Sequence, residues 1–268
     1  MKNLKKLPLI LSILSLASFI TPVNADVKVV ASIKPLHSLA SYLMDGVGKP
    51  DLIVEGYGSP HGFSMKPSHA KILQNADLIF WVGEDLEIFL EKPLSSIAKK
   101  AEKIELMEIK GLNVLKFRER NIFDKHDHDD HDDHGKKEDD HDDHEHDDHG
   151  KKEEHADHDD HDGHEGHAHG EYDPHIWLDP MNAKVILNEM VEHLIENDAK
   201  NASKYKSNLK NAFKDIDKLT ADVKADLSKS TASIVFHDAY QYFEERFDIN
   251  ILGAFTVNTD VMPGAEQL

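Results

Sequence analysis

The 268-residue sequence predicts an α/β fold with two lobes, each a parallel sheet flanked by helices, joined by a long helix. First, short β-branched runs alternate with amphipathic segments on both sides of a highly charged insert, and this alternation is typical of parallel sheets covered by helices. Second, residues 77–82 are almost wholly apolar, as expected of a strand buried on both faces. Third, residues 199–227 keep one apolar face over their whole length, which favours a single long helix.

The region before the insert, residues 26–123, is predicted to form the N-terminal lobe. A β-branched run at 27–33 ends at Lys34-Pro35 and predicts the first strand. Apolar residues then recur at helical spacing over 36–47, where Gly46 and Gly48 mark the end of a helix. Further strands are predicted at 52–54 and 77–82, and further helices at 67–75 and 86–99.

The region after the insert is predicted to complete the first lobe and begin a second one. Residues 174–198 end the N-terminal lobe with a helix over 182–196, and a break near Asn197-Asp198 precedes the linking helix at 199–229. Residues 230–268 begin the C-terminal lobe and leave too few residues to finish its sheet, so we expect a C-terminal truncation. Within this last region, a strand is predicted at 232–236, a helix at 238–247 and a strand within 249–257.

The N-terminus predicts export through a signal peptide at residues 1–25. Lys2, Lys5 and Lys6 precede an apolar run at 7–20, and Val-Asn-Ala at 23–25 provides a small-residue cleavage site. The apolar run is shorter than the roughly 20 residues that span a bilayer as a helix. Because the chain has no cysteine to carry a lipid anchor, we expect a periplasmic protein that is neither embedded in a membrane nor lipid-anchored.

The acidity of the chain is concentrated in one insert, at residues 124–173. This segment holds 23 acidic residues against 5 lysines, whereas the rest of the chain holds 28 acidic and 26 basic residues. The balance offers no basic patch for nucleic acid, so we expect no nucleic-acid partner.

The insert is predicted to be a disordered loop that binds metal weakly, because it lacks the apolar residues needed to form a core. A solvated acidic spacer is the alternative, but histidines interleaved with carboxylates favour metal ions such as Zn, Cu, Ni and Co. The predicted accessory low-affinity ligands are His126, His128, His131, His134, His141, His144, His146, His149, His155, His158, His161, His164, His167 and His169.

Three histidines outside the insert occupy positions typical of a binding site. His61 lies in Ser-Pro-His-Gly-Phe after the second predicted strand, and His175 lies between prolines in Asp-Pro-His-Ile-Trp-Leu-Asp-Pro. His237 directly follows the predicted strand at 232–236. Ligands of open α/β sheets bind at the carboxyl ends of strands, so we predict that His61, His175 and His237 bind a metal ion.

Three further histidines have weaker signals. His193 lies in the middle of a predicted helix among charged neighbours, so we expect it to be solvated. His69 follows Pro67 in another predicted helix and is expected at the surface. His37 follows the first predicted strand and could line a cleft.

Several long segments resemble the zinc-specific solute-binding proteins of ABC transporters. The likeness runs from about residue 29 to 268, and the acidic His-rich insert lies where that family carries one. The segments that carry the resemblance are 58–83, 173–180, 236–243 and 255–258.

The resemblance implies a monomer with two lobes, a rigid linking helix and a metal site in the cleft between the lobes. His61, His175 and His237 would hold Zn²⁺ there as transported cargo, and the protein would deliver it to a membrane permease driven by a cytoplasmic ATPase. Manganese-type relatives place a carboxylate where His237 stands, and a nitrogen-rich site favours zinc. Some zinc members carry a Glu just before the first histidine, but Pro60 stands here, so we expect water as the fourth ligand.

Other functions remain open at this stage. Three histidines and a water also describe a catalytic zinc site, but the chain lacks His-Glu-x-x-His, a Gly-x-Ser-x-Gly elbow and a Gly-rich phosphate loop. A periplasmic zinc store or chaperone would need only the insert. The same fold could also serve manganese, nickel or surface adhesion.

Overall fold

A computed structural model of the chain describes residues 27–118, 170–227 and 232–256. The chain divides into two compact units, the first comprising Met1–Val114 and Pro174–Lys229 and the second comprising Leu115–Asp173 and Ser230–Leu268. The predicted signal peptide and residues 119–169, which include every histidine of the insert, lie outside the described residues.

The first unit is built on a four-stranded parallel sheet with the order β2-β1-β3-β4. The two central strands are wholly buried and confirm the predictions made from their apolar runs. β4 was not predicted, because it lies at the sheet edge and only Ile104 of its four residues is buried. The strands are β1 (Val29–Ala31), β2 (Asp51–Leu52), β3 (Leu78–Trp81) and β4 (Glu102–Glu105).

Three helices connect these strands, and prolines begin two of them. A proline lies in the first turn of α1 (Lys34–Leu43) and of α2 (Pro67–Asn75), where the missing N–H costs nothing. α1 ends before Gly46, which adopts φ +74°, a left-handed conformation that favours glycine. α3 (Glu84–Ser96) is kinked at Glu87, which has non-helical dihedral angles.

Two long helices complete the first unit. The Asp179 side chain caps α4 (Pro180–Asn197) by accepting a hydrogen bond from Met181 N–H at 2.8 Å. The break predicted near Asp198 is present, and a 3₁₀ turn at Ala199–Asn201 precedes α5 (Ala202–Leu227). α5 packs against α4 and α1, within the first unit.

The described part of the second unit is a parallel pair of strands, β5 (Ser233–His237) and β6 (Ile251–Thr256), joined by α6 (Gln241–Phe247). Arg118 forms ion pairs with Asp238 and Glu244, so the chain just before the insert contacts the start of this connection and the middle of α6. Within the described ranges, no helix is long and apolar enough to cross a membrane. The α/β class, with parallel sheets, flanking helices and one long helix, is confirmed.

Candidate metal centre

His61 lies in the loop between β2 and α2, in the first unit. Its backbone N–H donates to Ser59 Oγ at 3.3 Å. Phe63, two residues later, packs its ring against Phe89 and His69, with ring centroids 5.1 and 5.3 Å apart. This aromatic contact packs the loop against the core of the unit. Because Phe63 is only two residues from His61, it restricts the position of the half-buried His61 ring.

His175 is buried in the same unit and lies just before α4. Pro174 precedes it, a 3₁₀ turn at Ile176–Leu178 follows, and Asp179 then caps α4. The His175 ring packs edge-on against Trp177, with centroids 5.4 Å apart. Because proline restricts the backbone on one side and the capped helix on the other, the imidazole has a defined position.

The fold brings His61 and His175 together although they are distant in sequence. Their ring centroids are 5.6 Å apart, the planes are tilted by 48°, and a nitrogen of each ring lies within 4.8 Å of the other. Two ligands at about 2.0–2.1 Å from one zinc ion need nitrogens roughly 3–3.5 Å apart. Nitrogens within 4.8 Å are near that separation, so the pair is suited to supply two ligands to one cation.

His237 is the last residue of β5, in the second unit. The strand was predicted to end one residue earlier; His237 instead pairs with Thr256 of β6. Thr256 Oγ1 donates to Phe236 O at 3.1 Å, and Asp238 N–H donates to Thr256 O at 3.0 Å. These bonds place the half-buried His237 at the carboxyl end of a parallel strand, where α/β proteins bind ligands.

Two of the other histidines have structural roles that the sequence did not reveal. His69 was expected at the surface but is buried, and its Nδ1 accepts a hydrogen bond from Lys66 N–H at 3.1 Å at the start of α2. His37 Nε2 lies 3.0 Å from Pro50 O and is half-buried. Both rings are engaged in local structure, so we do not assign them to the candidate metal centre.

Glu87 is a buried carboxyl that sequence reasoning missed. Its Oε2 accepts hydrogen bonds from Val82 N–H at 2.7 Å and Gly83 N–H at 3.2 Å, which joins β3 to α3. Burial raises the pKa of Glu87 to about 7, although the two amide hydrogen bonds and the Ser32 hydroxyl oppose the shift. No local pattern separates Glu87 from Glu84 and Asp85, which are exposed on the same turn.

Comparison with known proteins places the chain in a family. Residues 29–268 match the family model described as zinc-uptake complex component A, periplasmic. The high-affinity zinc uptake system protein ZnuA of Brucella abortus is 47% identical over 242 residues, which cover 90% of this chain and 70% of the relative. The protein of the same name from Haemophilus influenzae is 39% identical and covers all of this chain and 79% of the relative.

Solved structures share the fold at low sequence identity. A crystal structure of ZnuA has a TM-score of 0.63 at 17% identity and covers 90% of this chain and 74% of that chain. Streptococcus pneumoniae AdcAII has a TM-score of 0.61 at 19% identity, covering 90% and 72%. A Mn-bound periplasmic metal binding protein from Candidatus Liberibacter asiaticus has a TM-score of 0.62 at 17% identity, again covering 90% and 72%.

Proposed function

The chain belongs to the family of periplasmic zinc-uptake components, and on that premise we propose that it captures Zn²⁺ for an ABC importer. It binds zinc in the periplasm, after export through the signal peptide, and delivers it to a permease in the inner membrane. A cytoplasmic ATPase drives uptake, and the binding protein acts as a monomer. Members of this family are solute-binding components and not enzymes, so zinc is cargo.

The cargo ligands in this proposal are His61, His175 and His237, with water as the fourth ligand. The observation that carries it is the His61–His175 pair, whose ring nitrogens lie within 4.8 Å inside one unit. His237 is the third ligand because it occupies a strand end of the second unit.

The ligand set favours zinc over manganese. Three neutral imidazoles and a water make the nitrogen-rich tetrahedral site that zinc prefers, whereas manganese favours carboxylate and water oxygens. Because the fold also occurs in a Mn-bound protein, metal choice depends on the side chains. A manganese- or nickel-binding role for this chain is the main alternative.

The insert acts as an accessory collector. Its fourteen histidines, interleaved with carboxylates along the sequence, offer many alternative ligand sets and bind several exchangeable ions weakly. A zinc store or chaperone would rely on these ligands alone, whereas an importer component requires one tight site in the folded part of the chain.

Zinc titration with a competing chelator tests the proposal. We expect the chain lacking the signal peptide to show one tight site plus several weak ones. The His61→Ala/His175→Ala/His237→Ala variant should lose at least about a hundredfold in affinity at the tight site, since even ligand-supporting residues contribute ten- to a hundredfold. Manganese competition in the same assay settles the metal.

A matched control removes three histidines from the insert, as His126→Ala/His128→Ala/His131→Ala. This variant should keep the tight site and lose weak capacity only. Loss of the tight site in the control, together with its survival in the first variant, would instead support a storage role.

A further inference from the structure

A second group of metal-ligating side chains lies in the first unit, where the start of β4 meets the last turns of α4. Glu102, His193 and Glu196 each place one ligand atom within 4.8 Å of the others. His193 and Glu196 are three residues apart on α4 and therefore share a face of the helix. The sequence predicted a solvated His193, but its side chain is only 18% exposed.

Hydrogen bonding to Glu189 determines which ring nitrogen of His193 can bind a metal. Nε2 lies 3.2 Å from Glu189 Oε1, one turn earlier on α4. A carboxylate oxygen accepts, so Nε2 must carry the hydrogen in this contact. In the neutral ring, the lone pair then resides on Nδ1, on the side of Glu102 and Glu196.

The Nδ1 atom has the surroundings of a ligand. It is shielded from solvent and lies 2.8 Å from Glu102 Oε1, yet the two atoms are not aligned for a hydrogen bond. Glu196 Oε2 lies 3.8 Å from the same nitrogen. Donors bound at about 2.0–2.2 Å to one zinc ion are roughly 2.9–3.6 Å apart, so small side-chain rotations would admit the ion.

Charge and supporting contacts favour a cation at this position. Glu102, Glu189 and Glu196 surround the His193 ring. Even a protonated ring would neutralise only one of these three negative charges. Asn197 Nδ2 donates to Glu102 Oε2 at 2.9 Å and holds this carboxylate in place. Glu189 orients the ring from the opposite side, as carboxylates do behind metal-bound histidines.

We propose that Glu102 Oε1, His193 Nδ1 and Glu196 Oε2 form a second site for a borderline divalent cation of the Zn²⁺ class, with water completing the coordination. Glu196 is 69% exposed and Glu102 39%, so ions can enter from solvent. The site is independent of the cargo ligands and of the insert. A bound ion would link β4 to α4.

Histidine NMR on the full chain carrying His61→Ala, His175→Ala and His237→Ala tests this site directly. The protein is labelled with ¹⁵N-histidine, and zinc is titrated at fixed neutral pH until the insert histidines are saturated. The His193 signals are assigned by their loss in His193→Gln. We expect the His193 Nδ1 resonance to shift saturably with zinc and to return on addition of a chelator.

Two substitutions on α4 that each remove one negative charge distinguish metal coordination by Glu196 from a general effect of charge on zinc binding. Glu196→Gln should raise the zinc concentration for half-saturation of His193 by about tenfold. Glu192→Gln removes the same charge from an exposed position on α4 and should leave it unchanged. Constant His193 signals at saturating zinc would overturn the proposal, as would equal effects of the two substitutions. Neither result bears on the cargo site, which these chains lack.

Discussion

Burial changes the pKa of single residues in this protein, and Glu87 is the clearest case. Its carboxyl is enclosed at the junction of β3 and α3, where desolvation raises the pKa from 4.5 to about 7. The two backbone amides that donate to Oε2 favour the charged form, but burial has the larger effect. The group therefore changes charge within the range of ordinary buffers.

Replacing Glu87 by glutamine should remove a pH dependence of stability. Between pH 4.5 and 7 the folded state holds the proton that the unfolded state has lost, so this stabilisation is complete below 4.5 and is lost as pH rises through 7. Glutamine can still accept both amide hydrogen bonds. The free energy of unfolding of Glu87→Gln, relative to the parent, should rise by about 2–3 kcal/mol from pH 5 to 8.

Urea denaturation at several pH values measures this difference. Glu91→Gln, an exposed position on the same helix, is the matched control and should follow the parent at every pH. If the curves for Glu87→Gln and the parent stay parallel across this range, the buried carboxyl does not titrate as described.

The sequence identified the candidate ligands that have distinctive neighbours, such as prolines or a preceding strand, and it missed functional groups whose neighbours are ordinary. The prolines beside His61 and His175 are visible in the sequence, and so is the strand before His237. His193 and Glu87 stand among other charged residues, and nothing local shows which side chain faces inward. Their chemistry depends on partners from other elements, such as Glu102 of β4, a strand that was not predicted.

At the scale of elements, α5 is joined to the end of α1 by one side chain. Buried Asn208 donates from Nδ2 to Leu43 O at 2.7 Å and to Asp45 O at 2.9 Å. These carbonyls lie at the end of α1, where intrahelical partners run out. The amide therefore satisfies two acceptors and fixes α5 against the end of α1.

Removing the Asn208 amide should destabilise the protein measurably. Asn208→Ala leaves two carbonyls without their donor and should cost about 1–3 kcal/mol. Asn208→Asp keeps the shape but places carboxylate oxygens against carbonyl oxygens, so it should cost more than alanine. Asn211→Ala, at an exposed position of α5, should change stability by less than about 0.5 kcal/mol. Chemical denaturation ranks the three; a neutral Asn208→Ala would contradict the assigned role.

The elements that were predicted correctly are those whose burial is uniform or whose ends are marked. β3 is buried along its whole length, and α2 begins at the predicted proline. β4 consists of three charged residues and one buried isoleucine, so its strand character comes from pairing with β3 at the sheet edge. An edge strand of this kind can be identified only when its pairing with the neighbouring strand is known.

At the scale of the whole molecule, the insert leaves and re-enters the fold at adjacent points. Lys116 and Tyr172 form an antiparallel bridge. Phe117 N–H donates to Glu171 O at 3.1 Å, and Asp173 N–H donates to Leu115 O at 2.8 Å. The ends of the insert are thus paired within the second unit, so a short loop can replace it.

Replacing residues 120–168 by a short Gly-Ser linker should leave thermal stability in metal-free buffer unchanged or slightly higher. Shortening the chain between the hydrogen-bonded residues Phe117 and Glu171 reduces the entropy cost of bringing them together and should contribute at most about 1–2 kcal/mol. Extending the deletion through residues 115–173 also removes the bridge between Lys116 and Tyr172 and the Arg118 ion pairs, so it should be destabilising. A large loss of stability with the shorter deletion alone would show that the insert supports the fold.

The sequence by itself determined the alternation of strands and helices and the extreme insert, and it singled out the histidines that we propose as metal ligands. These features are encoded locally, in hydrophobic periodicity, proline and glycine positions, and composition. Only the tertiary structure decided that His61 lies beside His175, that His69 caps a helix, and that His193 faces Glu102. Such pairings depend on strand order and helix packing, which bring distant residues together through the burial of the whole core.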